Sequence, residues 1–174
     1  MSKPSRPSDP RESKGQLRTF FATTRTAGGR SLFQTDRMAQ LFIDVLRSYT
    51  LVGQFKVHDF VIMRNHVHLL LTVDGTMTIE KAMQLIKGNF SYRAKKELGF
   101  MGEIWQRGFS DVRITDEASF TAHQEYIYKN PVTAELANTP EEYPYSSAYF
   151  KKRKRAGAKA RVIGADGGTS KLVP

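Results

Sequence analysis

Hydrophobic positions along the chain switch between a period of two and a period near 3.6, and the order of those runs predicts the architecture. Residues 18–25 (RTFFATTR) are aromatic and threonine-rich and read as a strand, which Gly28-Gly29 then breaks. From Asp36, an N-cap candidate, Met38, Leu41, Phe42, Val45 and Leu46 recur at helical spacing, and that helix ends near Tyr49. Residues 55–63 (FKVHDFVIM) and 66–73 (HVHLLLTV) read as two strands joined by a tight turn at Arg64-Asn65, an antiparallel hairpin. Thr78 caps a long helix running to about Leu98, with Met83, Leu85, Ile86 and Phe90 available for the core. Residues 105–114 read as a strand, or as an irregular segment with strand at its end. Asp116 or Ser119 starts the last helix, which is expected to stop at Asn130 because Pro131 follows.

The order β-α-β-β-α-β-α predicts an α+β fold. It matches a ferredoxin-like antiparallel sheet with helices on one face, plus an added C-terminal helix that carries two tyrosines. Residues 1–16 are rich in proline, serine and charge and are expected to form a flexible tail. Residues 151–174 are expected to form a basic, disordered tail, leaving 17–150 as a single domain.

Composition narrows the chemistry. The 174 residues include no cysteine, so disulfides, thiolate metal sites and cysteine nucleophiles are excluded. No apolar run approaches the ~20 residues that span a bilayer, and the N-terminus lacks the apolar core of a secretion signal. A cytoplasmic location without membrane association is the expectation. The net charge of +10 is concentrated at the ends, with +3 in residues 1–18, +7 in residues 151–174 and zero between. The run Lys151, Lys152, Arg153, Lys154, Arg155 favours a polyanion through counterion release, although a solvated tail has the same composition.

The most pointed chemistry is His66-Val67-His68. Alternate residues of a strand share a face, so the two imidazoles project side by side and can share one divalent metal ion. Some sixty residues later comes Tyr126-Ile127-Tyr128-Lys129-Asn130. On a helix Tyr126 and Asn130 lie within ~40° of each other, whereas Tyr128 is ~200° from Tyr126. Tyr126 is therefore the tyrosine that shares a face with Asn130, and His123 lies on the same stripe, a candidate ligand or a support behind one. A phenol has a pKa near ~10 and needs a nearby cation to become a competent nucleophile. Each piece alone is explained by an amphipathic helix and a core histidine. Together they form a kit for phosphodiester cleavage. Asp59, Asp111 and Glu125 are further acidic candidates for assisting the metal or a proton transfer.

Four blocks occur in order: Met63-Arg64-Asn65-His66-Val67-His68-Leu69-Leu70, Trp105-Gln106-Arg107-Gly108-Phe109, Tyr126-Ile127-Tyr128-Lys129-Asn130-Pro131-Val132 and Tyr143-Pro144-Tyr145-Ser146-Ser147. Over residues 18–150 the chain resembles the single-tyrosine HUH transposases, and within them the REP-associated tyrosine transposases of bacteria. That resemblance implies a ferredoxin-like catalytic domain that cleaves and rejoins single-stranded DNA beside hairpins through a 5′-phosphotyrosine. It places the metal ligands on His66, His68 and Asn130 and the nucleophile on Tyr126. It further implies Mg²⁺ or Mn²⁺, with Mn²⁺ the easier partner for histidine, a monomer in preference to a homodimer, and association with the bacterial nucleoid. Relatives usually carry proline where this chain has Arg64. DNA-contact candidates are Arg18, Arg25, Lys87, Arg93, Trp105, Gln106, Arg107, Lys151, Lys152 and Arg153, with Asn89, Lys95 and Lys96 on the same helix as Arg93; Trp105 and Phe109 read equally well as core anchors. Two rival readings are a non-catalytic single-stranded nucleic-acid-binding module and a metal hydrolase that uses activated water.

Overall fold

The computed structural model describes residues 16–165, with side chains to residue 159. The expectations for residues 1–15 and for 166–174 lie outside the described residues. Four strands, β1 (Arg18–Arg25), β2 (Lys56–Ile62), β3 (His66–Val73) and β4 (Ser110–Ile114), form one sheet in the order β2-β3-β1-β4. Every neighbouring pair is antiparallel. Helices α1 (Asp36–Leu51), α2 (Ile79–Leu98), α3 (Glu117–Thr133) and α4 (Ser147–Ala165) complete the chain. This is the ferredoxin-like α+β arrangement the hydrophobic pattern predicts, with an added C-terminal helical portion.

The sheet has two buried faces because its strands alternate. Val67, Leu69, Leu71 and Val73 of β3 join Phe20 and Ala22 of β1 in a large core with α1 and α2. Phe33, Phe42, Phe90 and Trp105 interlock there, with ring centroids 5.3–5.8 Å apart. The other face sends Val61, Met63, Leu70 and Ile114 against Ile127 of α3 and Tyr143. His66 and His68 belong to this second face, since they alternate with Val67 and Leu69.

Local signals set the helix starts. Thr78 caps α2 by accepting from Lys81 N at 3.1 Å, and Asp116 caps α3 by accepting from Ser119 N at 2.7 Å. Asp36 is the first residue of α1 and not its cap; its carboxylate accepts a hydrogen bond from the Tyr145 hydroxyl. After β1 the chain turns through Gly28 and Gly29, with φ of 63° and 65°, where a side chain would be strained. Arg64 leaves the β2–β3 turn intact: Met63 N donates to His66 O at 2.8 Å, and the Arg64 side chain stays exposed.

Two expectations are corrected. α3 does not stop at Asn130 but runs through Pro131 to Thr133. Proline there removes one N–H in the final turn only, the ring is buried, and Leu136 N closes the end on Pro131 O at 2.8 Å. The basic stretch after residue 150 is not a disordered tail through its described part. It continues α4, which starts at Ser147 and runs to Ala165. Lysine, arginine and alanine are good helix formers, and Lys151 is anchored on the sheet by an ion pair with Asp59 at 2.7 Å. The Tyr143-Pro144-Tyr145-Ser146-Ser147 block has a structural task. Ile62 N donates to Tyr145 O at 2.9 Å and the Tyr143 hydroxyl to Ile62 O at 2.8 Å, which covers the open edge of β2.

Candidate active site

β1 and β3 pair so that Thr23 lies opposite His68 and Arg25 opposite His66. That register supplies each imidazole with an orienting partner. Thr23 Oγ1 lies 2.8 Å from His68 Nδ1. The Asn65 Oδ1, which can only accept, takes the Nδ1–H of His66 at 2.7 Å, and Asn65 Nδ2 is itself tied to Gly29 O at 3.4 Å. Both rings therefore carry their contacts on Nδ1 and leave Nε2 for another ligand. The rings are 4.8 Å apart between centroids.

His68 is 4% exposed, and its Nε2 is buried without a hydrogen-bond partner. An orphaned buried nitrogen costs ~1–3 kcal/mol unless something binds it. Burial first, then His66 and Arg25, push the His68 pKa down to about 3. Burial and then Arg25 lower His66 as well. Both imidazoles are thus neutral near pH 7, the form that ligates metal. Among the described residues no group of three or more His, Cys, Asp or Glu is gathered. A metal at this pair would need a neutral donor such as an amide to complete its protein ligands.

α3 lies over the pair. Phe120 near its start packs on His58 of β2 at 5.2 Å, and Ile127 further on reaches Val61 and Met63. The helix therefore runs toward the β2–β3 turn, antiparallel to β3. Tyr126 meets His68 edge-on with centroids 5.2 Å apart, and its ring is 51% exposed, open to an incoming substrate. Asn130, half-buried, is one turn further on toward the His66 end. Phe21 of β1 forms the floor, stacked on His68 at 5.3 Å and touching His123 at 4.8 Å and Tyr126 at 5.8 Å. His123 donates from Nδ1 to Ser119 O at 2.8 Å and supports the site through Phe21. Tyr128 points away, donating to Asp59 Oδ1 at 2.8 Å.

The other candidates separate clearly. Arg25, Gln106 and Arg107 are exposed and close to the histidines, since Gln106 N donates to Arg25 O at 2.9 Å. Lys152 and Arg153 are exposed on α4. Trp105 is corrected from a DNA-stacking residue to a core residue: it is 8% exposed among Phe33, Phe42 and Phe90, and its Nε1 donates to Lys87 O at 3.1 Å. Lys87 is committed to Gln106 O and Gly108 O at 3.1 and 2.6 Å, and Arg93 to Glu97 at 2.6 Å. Arg18 reaches Met77 O at 3.1 Å at the opposite end of β1 from the histidines. Lys151 pairs with Asp59. Among the described residues none of the acidic candidates joins the histidine pair in a group that could hold a metal ion. Asp111, opposite Ala22, is on the α1–α2 face, Glu125 pairs with Lys129 at 3.1 Å, and Asp59 is enclosed by α3 and α4. Thr23, Asn65 and Phe21 are the site residues that the sequence reading missed, because their roles depend on strand register.

A family profile described as Transposase IS200 like matches residues 22–130. The chain belongs to this family. The matched span opens within β1 and closes on Asn130, so it contains His66, His68 and Tyr126. The chain is 25% identical over 133 residues to the REP-associated tyrosine transposase of Escherichia coli (strain K12), covering 74% of this chain and 75% of that one. It is 30% identical over 105 residues to a protein assigned as a REP-associated tyrosine transposase in Haemophilus influenzae, covering 53% of this chain and spanning 58% of that relative's length. A solved structure of a REP-associated tyrosine transposase bound to a REP hairpin has the same fold, with a TM-score of 0.69, 24% identity and coverage of 86% and 84% of the two chains. The tyrosine-transposase family that the sequence blocks resemble is thus borne out, and REP-associated members are among the proteins to which the chain is similar.

The buried histidine makes a prediction for stability. Above its ordinary pKa of 6.5 neither state protonates His68. Below that, the unfolded chain takes a proton that the folded chain refuses, so stability falls from pH 6.5 toward about 3. By pH 4.5 the loss from this residue is about 2–3 kcal/mol. Urea unfolding in EDTA at pH 7 and pH 4.5 measures it, and His68→Leu should remove that part of the difference.

Proposed function

We propose that this chain is a metal-dependent DNA strand transferase that cleaves and rejoins single-stranded or hairpin DNA of the REP type through a 5′-phosphotyrosine. The observation that carries this reading is Tyr126, half-exposed and 5.2 Å from a histidine whose Nε2 is buried without a partner. His66 and His68 through Nε2, with the Asn130 side-chain amide, would hold Mg²⁺ or Mn²⁺. Such an ion offsets the charge that develops on the scissile phosphate and favours the phenolate.

The remaining steps belong to the chain's own groups. Arg25 and Arg107 draw the phosphate backbone to the histidine edge. Phe21 and His68 hold the Tyr126 ring so that its Oη faces incoming DNA. Attack of Oη on phosphorus forms the Tyr126–phosphate ester and breaks the P–O3′ bond, and the departing O3′ leaves as a 3′-hydroxyl. Because the ester bond energy is retained, the reverse attack by a 3′-hydroxyl rejoins strands without ATP. Tyr126 meets His68 of its own chain, which supports a monomer acting in cis. The site of action would be the bacterial nucleoid.

The test is a covalent-adduct assay with a labelled hairpin oligonucleotide bearing single-stranded flanks, with Mn²⁺ or EDTA. A denaturing-gel adduct that EDTA removes is the expected result. Cleavage without an adduct would indicate activated-water hydrolysis, and binding with neither would indicate a binding module.

α4 carries the binding prediction. Replacing Lys152, Arg153, Lys154 and Arg155 by glutamine should weaken hairpin binding and flatten its salt dependence by ~0.9 per lost phosphate contact on duplex. The adduct rate at saturating DNA should stay the same. Lys151 is left in place because Asp59 needs it. An unchanged salt slope would remove α4 from the interface.

A further inference from the structure

Tyr126 is held from the far side of its own helix. Around α3 Ile127 points into the small core, while His123, Tyr126 and Asn130 occupy one flank and Gln124 and Tyr128 the other. Both residues of the second flank end on the same carboxylate. Gln124 Nε2 donates to Asp59 Oδ2 at 2.7 Å, and the Tyr128 hydroxyl donates to Oδ1 at 2.8 Å. Asp59 has 0% exposure and also accepts from Ser147 Oγ and Lys151 Nζ, each at 2.7 Å. It sits where the β2–β3 register shifts between Val57 and Asp59, a bulge of the sort that re-aims a side chain.

We propose that Asp59 is a positioning residue for the strand-transfer reaction: its carboxylate straps one flank of α3 to β2 and so fixes Tyr126, on the opposite flank, over His68. This rests on reading Tyr126 as the nucleophile. The apolar seat of α3, made by Phe120, Ile127 and the Pro131 ring, is a stripe only ~40° wide, and a helix on so narrow a seat can roll about its axis. The Tyr126 Oη lies roughly 8 Å from that axis, so a 10° roll would carry it about 1.4 Å. Misplacement on that scale costs on the order of 100-fold in rate. The strap prevents the roll because Gln124 and Tyr128 grip the two oxygens of one immobile group. Lys151 fastens α4 to the same carboxylate, and against the cost of its burial the bonds to Asp59 and Tyr128 raise its pKa.

The test uses the full chain with Gln124→Ala and Tyr128→Phe combined, which keeps the Asp59–Lys151–Ser147 contacts, and Asp59→Asn as the harsher companion. Thermal melting selects the variants that remain folded. Two quantities are read: the adduct rate at saturating hairpin oligonucleotide with Mn²⁺, against its Kd, and the ¹⁹F resonance of fluorotyrosine placed at Tyr126. The double variant should react about 10- to 100-fold more slowly with Kd within about twofold. Its fluorine line should move from the position set by Phe21 and His68 toward that of free fluorotyrosine. An unchanged rate and line overturn the proposal, as does a rate loss matched by an equal loss of DNA affinity with the line unmoved. If the wild-type chain forms no adduct, the nucleophile reading fails by itself. The fluorine line then decides the strap: a moved line sustains it and a fixed line overturns it.

Discussion

Tyr126→Phe is expected to abolish the covalent DNA adduct, a loss of at least ~10³-fold, while leaving DNA affinity and thermal stability close to wild type. The ring is half-exposed, and its hydroxyl makes no hydrogen bond among the described residues, so removing one oxygen disturbs neither the core nor a cap. The phenylalanine ring can keep its edge contact with His68 and its packing on Phe21. Tyr128→Phe should behave differently. It removes a hydroxyl that bridges Asp59 and Lys151, so adduct formation should slow without vanishing. The pair of variants separates the nucleophile from its support. Equal loss in both would mean that neither tyrosine is the attacking group by itself.

His66→Ala should cut strand cleavage at least ~100-fold and lower Mn²⁺ affinity by more than tenfold, with a small effect on stability. His66 is the better histidine for this test because it is half-buried, whereas His68 is deep in the sheet and its removal would leave a cavity. Manganese titration followed by electron paramagnetic resonance reads the affinity directly. Asn130→Ala should weaken Mn²⁺ in the same direction. If His66→Ala bound Mn²⁺ as tightly as wild type, the ion would have to be held elsewhere, and the buried His68 Nε2 would need another explanation.

The parts of this arrangement legible in the sequence are those written in local patterns. Alternation in residues 66–73 put His66 and His68 on the face away from Val67 and Leu69, and the ~100° helical step chose Tyr126 over Tyr128 as the residue beside Asn130. Other parts depend on distant partners. Pro131 reads as a helix stop, yet burial of its ring and the bond from Leu136 N carry α3 two residues beyond it. A run of five basic residues reads as a solvated tail until Asp59, ninety-two positions earlier, is seen to anchor Lys151. Trp105 sits between apolar Ile104 and polar Gln106-Arg107, a context that fits core and surface alike, and only the fold brings Phe33, Phe42 and Phe90 around it. Thr23 and Phe21 gain their roles from the β1–β3 register, which no single segment specifies.

The most direct measurement of the central claim is to digest the gel-purified DNA adduct with trypsin and nuclease and locate the residual nucleotide by fragmentation mass spectrometry. Cleavage after Arg113 and Lys129 yields one peptide, residues 114–129, that contains both Tyr126 and Tyr128, so the fragment ions decide between them. A 5′-phosphonucleotide on Tyr126 alone is the expected result. A nucleotide on Tyr128, or metal-dependent cleavage with no modified tyrosine, would contradict it.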